Sequence, residues 1–188
     1  MKTVIILNGP PGCGKDTIKQ KLANFKNLQC RSMKEPMFKI VKAMLGDKTF
    51  KIFMRDYEDR KQKESPQEYL GGKSPRQFMI WISEDVIKPL FGKQHFGKLA
   101  AEALQKEHRT AIFSDGGFPD EVRCLVDSGF KVKLIRLHRE GFTFEGDSRD
   151  YIHIPELLGD FKYSEHDATL HDGYIMHGCR LVYEAAFE

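Results

Sequence analysis

The run Gly9-Pro10-Pro11-Gly12-Cys13-Gly14-Lys15 constrains this chain more than any other part of it. Before it stands Lys2 to Leu7, a short β-branched run ending at Asn8-Gly9, which predicts a buried strand. After it, residues 14–26 carry Ile18, Leu22 and Phe25 at helical spacing, which predicts a helix. Strand, glycine-rich turn and helix in that order make a cradle for phosphate oxygens. The glycines let successive N–H groups curl around an anion, and the helix N-terminus adds its positive end. Gly9, Pro10, Pro11, Gly12, Cys13, Gly14, Lys15, Asp16 and Thr17 are therefore expected to hold ATP, with Lys15 reaching its β- and γ-phosphates. The bland alternative is a Gly/Pro-rich turn that happens to precede a lysine.

The rest of the chain alternates strands with helices. A brief strand is expected at 28–33 and a helix from Glu35 to Leu45, stopped by Gly46. The charged stretch to Gly72 reads as helical in pieces. Ser74-Pro75 opens a further helix, with Ser as N-cap and Phe78, Ile82, Val86 and Leu90 as its apolar face. A helix at 98–107, a strand from Thr110 to Ser114, a helix from Pro119 to Ser128 and a strand from Lys131 to Leu137 follow. A glycine- and charge-rich loop at 139–151, a short strand at 168–170 and a helix at 174–186 complete the series. Such alternation implies a central parallel sheet with right-handed crossovers, a three-layer α/β/α fold of the P-loop NTPase kind. One domain is expected over 1–188, with a helical acceptor-side insert at about 34–108 and a lid at about 139–152.

Composition narrows the class. With 188 residues, 40% hydrophobic and 30% charged, the chain can bury a core, and no apolar run suits a membrane span. The N-terminal apolar run is too short for a signal peptide, so a cytoplasmic location without membrane association is expected. Four scattered cysteines and seven histidines form no metal-binding spacing. The net charge of +3 hides an asymmetry: residues 31–63 hold ten Lys/Arg against five Asp/Glu, residues 111–188 eight against fifteen. Lys34, Lys39, Arg55 and Arg60 in the basic part could meet an anionic partner, although a solvated face explains the same pattern.

One position departs from the usual phosphate loop. Asp16 replaces the hydroxyl residue that normally follows the lysine. A carboxylate facing a triphosphate is repelled unless a divalent ion intervenes, so Asp16 is expected to help hold Mg²⁺, directly or through water, with Thr17 on a phosphate. Asp115, ending the apolar strand at 110–114, is a second candidate for the metal side or for the catalytic base.

Gly14-Lys15-Asp16-Thr17, the segment Ser74 to Gly92, Asp115 and the tail His171-Asp172-Gly173 resemble phage deoxynucleoside monophosphate kinases over nearly the whole chain. In that group an arginine that clamps the acceptor's phosphate follows the strand-end aspartate closely. Here a Gly116-Gly117-Phe118 run, read as flexible, takes its place, and Arg76 or Arg123 could substitute. Ser114 to Phe118, together with the run Gly146-Asp147-Ser148-Arg149, resemble the phage 5-hydroxymethyluracil DNA kinases, which phosphorylate a base hydroxymethyl group. That resemblance implies DNA containing 5-hydroxymethyluracil as partner, with the base extruded and read by stacking. Arg76, Trp81, Phe118 and Asp120 are the acceptor-side candidates. Lys15, Asp16, Asp115, Arg139 and Arg149 are the catalytic ones, the two arginines closing a lid over the triphosphate. A free deoxynucleotide as acceptor, or a nucleotide-binding module without one, are the alternatives. The oligomeric state stays open.

Overall fold

The computed structural model describes residues 1–147 and 149–188. Among them, five strands form one parallel sheet: β1 (Thr3–Asn8), β2 (Gln29–Arg31), β3 (Ala111–Phe113), β4 (Lys131–Arg139) and β5 (Tyr163–Leu170), in the order β2-β3-β1-β4-β5. The helices are α1 (Lys15–Lys26), α2 (Glu35–Glu58), α3 (Pro75–Ile80), α4 (Lys88–Phe91), α5 (His95–Gln105), α6 (Pro119–Asp127) and α7 (Ile175–Phe187).

β1 reads as an unbroken apolar run because both of its faces are covered. Val4 and Ile6 pack with Ala100, Leu104, Val122 and Leu125 of α5 and α6. Ile5 and Leu7 pack with Ile18, Leu22, Cys179 and Val182 of α1 and α7. The alternation of strand side chains thus builds helix, sheet and helix as three layers, the expected α/β/α arrangement. Each of these fully buried β1 side chains is worth roughly 1.5–3 kcal/mol over its exposed state. Phe25, expected on the buried stripe of α1, is 77% exposed, and Ala23 is buried instead.

Two compact units divide the described chain: Met1–Met33 with Gly97–Glu188, and Lys34–Phe96. The second unit is shorter than the insert read from the sequence, because residues 97–108 belong with the sheet. Its core joins Val41, Phe53, Phe78, Ile82, Ile87 and Phe96. Gly46 interrupts α2 with φ 72° and ψ 165°, as a helix stop should, but a second helical stretch starts at once and runs to Glu58. Ser74 caps α3 reciprocally with Gln77, at 3.2 and 2.9 Å. The long regular helix expected after it is not regular: Trp81–Ile87 is π-helical. The wider turn shifts the phase of everything beyond it, so Ile87 is buried and Leu90, expected on the apolar face, is 72% exposed.

β5 is also longer than its sequence suggested. Glu165 and Asp167 hide the strand by charge, yet both are satisfied across β4. Arg136 donates to Glu165 at 2.9 Å and, through Nε and Nη2, to Asp167 at 2.9 and 2.7 Å. His138 lies 2.6 Å from the same Asp167 carboxylate. These cross-strand pairs do the work that apolar residues do elsewhere in the sheet. The Arg136 hydrogen bonds foremost, and His138 after them, depress the Asp167 carboxyl from 3.8 to about 2. A depressed folded value makes the pairing stabilising above about pH 4, with the gain lost as pH falls through 2. Asp167→Asn is therefore expected to lower Tm at pH 7, by a small amount because the side chain is half exposed, and the gap to wild type should close toward pH 2. Thermal melts across that range check it. Among the described residues no helix is long and apolar enough to cross a membrane.

Candidate functional site

In an open parallel sheet, ligands bind beyond the carboxyl ends of the strands, where the strand order switches direction. β1 lies between β3 and β4, so that point is the end of β1, where Gly9–Lys15 begins. Two glycines take the turn that the motif needs: Gly12 has φ 78° and Gly14, the N-cap of α1, φ 109°. Gly9 is required by space, since a Cβ there would stand 2.8 Å from the Leu137 carbonyl oxygen. Ile18 N–H closes the first helical turn onto Gly14 O at 3.0 Å. The Lys15 ammonium curls back into the loop and donates to Gly9 O and Pro10 O, both at 2.6 Å. Burial is the main influence pulling its pKa below the lysine range. The charge of Arg149 pulls the same way, and Cys13, Asp16 and Asp147 oppose it.

Asp16 sits in the first turn of α1, where the helix dipole favours an anion, and accepts from Ser114 Oγ at 2.6 Å. Ser114, which ties Asp16 to the end of β3, is followed directly by Asp115. Asp115 accepts from the Ser32 hydroxyl and from Met33 N–H at 3.0 Å, which fixes its rotamer. A carboxylate taking two such bonds keeps acceptor capacity for a further hydroxyl. Gly116 and Gly117, read as flexible, are instead demanded by packing. A Cβ would stand 2.7 Å from Ile6 Cγ2 at the first and 2.5 Å from Arg149 Cδ at the second.

The two arginines, equivalent in the sequence, are separated by the fold. Arg149 lies over Gly117 beside Asp115. Arg139 lies on the other flank of the loop: its Nη1 is 3.5 Å from Cys13 O, its guanidinium covers the Phe142 ring at 4.7 Å, and its Nε donates to Asp172 at 2.7 Å. There it helps line a cleft of about 300 Å³ with Cys13, Gly14, Thr17, Leu170, Tyr174 and Ile175. Thr17 faces this cleft. The cleft went unread in the sequence, although one signal was present: Gly178, the fourth residue of α7, a costly residue inside a helix. A Cβ at Gly178 would stand 2.9 Å from Leu170 Cδ2.

Of the acceptor-side candidates, Phe118 is 43% exposed at the start of α6, and Asp120 pairs with Arg123 at 3.3 Å. Arg123 also donates to Glu156 at 2.8 Å. Arg76 and Trp81 belong to the second unit. There Arg76 donates to Glu64 at 2.6 Å, and Trp81 packs on Phe78 with ring centroids 5.5 Å apart. Within the basic segment, Arg55 serves the buried Asp56 at 2.9 Å, and Lys34 lies 5.8 Å over the Tyr57 ring. Ser148, part of the run read as a lid, lies outside the described residues.

No family model matches the chain, and no curated protein matches it. Among solved structures, the chain is similar to a dephospho-CoA kinase from Campylobacter jejuni, at 15% identity over 100% of this chain and 99% of the other, with a TM-score of 0.48. It is also similar to a gluconokinase from Sinorhizobium meliloti 1021, at 11% identity over 98% and 89% of the two chains, TM-score 0.44. A shikimate kinase from Aquifex aeolicus vf5 matches at 12% identity over 96% and 92%, TM-score 0.42. At such identities and TM-scores, none of these likenesses extends to chemistry.

Proposed function

We propose that the chain is an ATP-dependent phosphotransferase that delivers the γ-phosphoryl group to a hydroxyl acceptor. The observation that carries this is the junction of the phosphate loop with the adjoining cleft. Cys13, Gly14 and Thr17 belong to both, so a triphosphate in the loop leads directly into a space of about 300 Å³ with apolar walls at Leu170 and Ile175. Such a space suits a flat nucleobase, with Arg139 at its edge.

On the other flank stand Asp115 and Arg149. The acceptor oxygen attacks the γ-phosphorus as the bond from that phosphorus to the β-phosphate oxygen breaks, and the acceptor's proton passes to the Asp115 carboxylate. Lys15, the loop amides and Arg149 offset the charge on the moving group; most of the catalysis is positioning and electrostatics. Asp16 supplies hard oxygen donors near the loop mouth, suited to magnesium held directly or through water. Bound there, magnesium would screen the triphosphate's charge.

For the acceptor, we favour the hydroxymethyl group of 5-hydroxymethyl-2'-deoxyuridine in DNA. Supporting this is the lack of an arginine close after Asp115, together with the engagement of Arg123 by Glu156 and Asp120. A terminal phosphate on the acceptor would have to compete with these carboxylates. The test is a labelled-ATP assay on DNA containing 5-hydroxymethyluracil, unmodified DNA and free deoxynucleoside monophosphates. Label on the modified DNA alone is the expected result. A nucleoside diphosphate product would replace the acceptor and keep the kinase. ATP binding without transfer to any acceptor would leave a nucleotide-binding module.

A further inference from the structure

Arg149 is constrained at three points beside the phosphate loop. Its guanidinium is gripped by Asp147, Nε to Oδ1 at 2.8 Å and Nη2 to Oδ2 at 2.6 Å, and the same carboxylate takes the Arg149 backbone N–H at 3.0 Å. Its aliphatic stem lies in a slot that exists because residue 117 has no side chain: a Cβ there would stand 2.5 Å from Cδ and 3.0 Å from Cγ. The chain just beyond it is tied to the residue before Gly9. The buried Asn8 side chain accepts from Ile152 N–H at 2.9 Å and donates to Asp150 O at 3.3 Å. A long side chain held in this way has little rotamer freedom left to lose.

Resting on the phosphotransferase reading, we propose that Asp147 and Gly117 are positioning residues that set Arg149 beside Asp115 before any acceptor arrives. The arginine is then built into the site and is not delivered by loop closure. Charge arranged in advance needs no reorganisation when the phosphoryl group moves, which is where preorganised groups contribute most. Asp147 has this effect because its two oxygens match the guanidinium fork, leaving one edge of the group for the phosphoryl oxygens. Gly117 has it because any side chain would push the arginine stem out of its slot. Neither residue needs to touch substrate.

The test crosses Gly117→Ala with Arg149→Ala and repeats the cycle with Asp147→Asn, so that a variant that fails to fold does not end it. Gly117→Ala should lower kcat by about 10- to 100-fold, the scale on which small misplacements act, with ATP affinity by calorimetry unchanged. In the Arg149→Ala background the same substitution should cost nothing further. Losses that multiply across the two backgrounds would overturn the proposal, because the glycine would then act on the fold and not through the arginine. A second readout does not need activity. The Arg149 Nε–H resonance should exchange slowly in the wild type and lose its protection in Asp147→Asn. Fast exchange in the wild type overturns the proposal. Absence of any transfer by a wild type that retains slow exchange would instead count against the phosphotransferase reading alone.

Discussion

Lys15→Ala should reduce phosphoryl transfer by about 10²- to 10³-fold while leaving the fold intact. The ammonium lies inside the loop, within 2.6 Å of two of its carbonyl oxygens, where the β- and γ-phosphates are expected. Removing one preorganised donor from a site of this kind costs about 2.7–4 kcal/mol of transition-state stabilisation. The loop's shape depends instead on Gly9, Gly12 and Gly14, and alanine is a good residue for the first turn of a helix, so Tm should hold. Steady-state rates with labelled ATP, alongside a thermal melt, separate the two effects. Near-normal turnover would remove Lys15 from the chemistry.

The second large effect is expected at Asp115. Asp115→Asn keeps the shape of the side chain but removes the proton acceptor, and transfer should fall by about 10²- to 10⁴-fold, the usual contribution of a general base. Its neutral amide would also replace the charge-assisted hydrogen bonds that the carboxylate takes from the Ser32 hydroxyl and Met33 N–H by weaker neutral ones. A stability loss of about 1 kcal/mol should accompany the kinetic one. ATP affinity should change little. A loss of rate that is matched by a loss of ATP affinity would instead make Asp115 part of the nucleotide site.

The turn from Gly9 to Lys15 was legible because its information is local. Spacing alone located the glycines, and the left-handed backbone at Gly12 and Gly14 answers directly to residue type. The strands were legible where they are buried on both sides, as at β1, and half hidden where charges replace apolar residues, as at Glu165 and Asp167. Helix phase failed beyond Trp81 because a π turn cannot be read from a four-residue repeat. The division between Arg139 and Arg149 was out of reach for a different reason. It depends on Asp172, which follows another strand, and on the missing side chain at Gly117, thirty-two positions before Arg149. Gly116 and Gly117 looked like hinges because glycine writes flexibility and close packing with the same letter.

What the whole account needs is that backbone amides at the amino end of α1, with one lysine, grip a nucleoside triphosphate. Isothermal titration of the wild-type chain with ATP and magnesium measures this most directly. Saturable heat at a single site, weakened by Lys15→Ala, is the predicted result. A wild-type titration without saturable heat would contradict it.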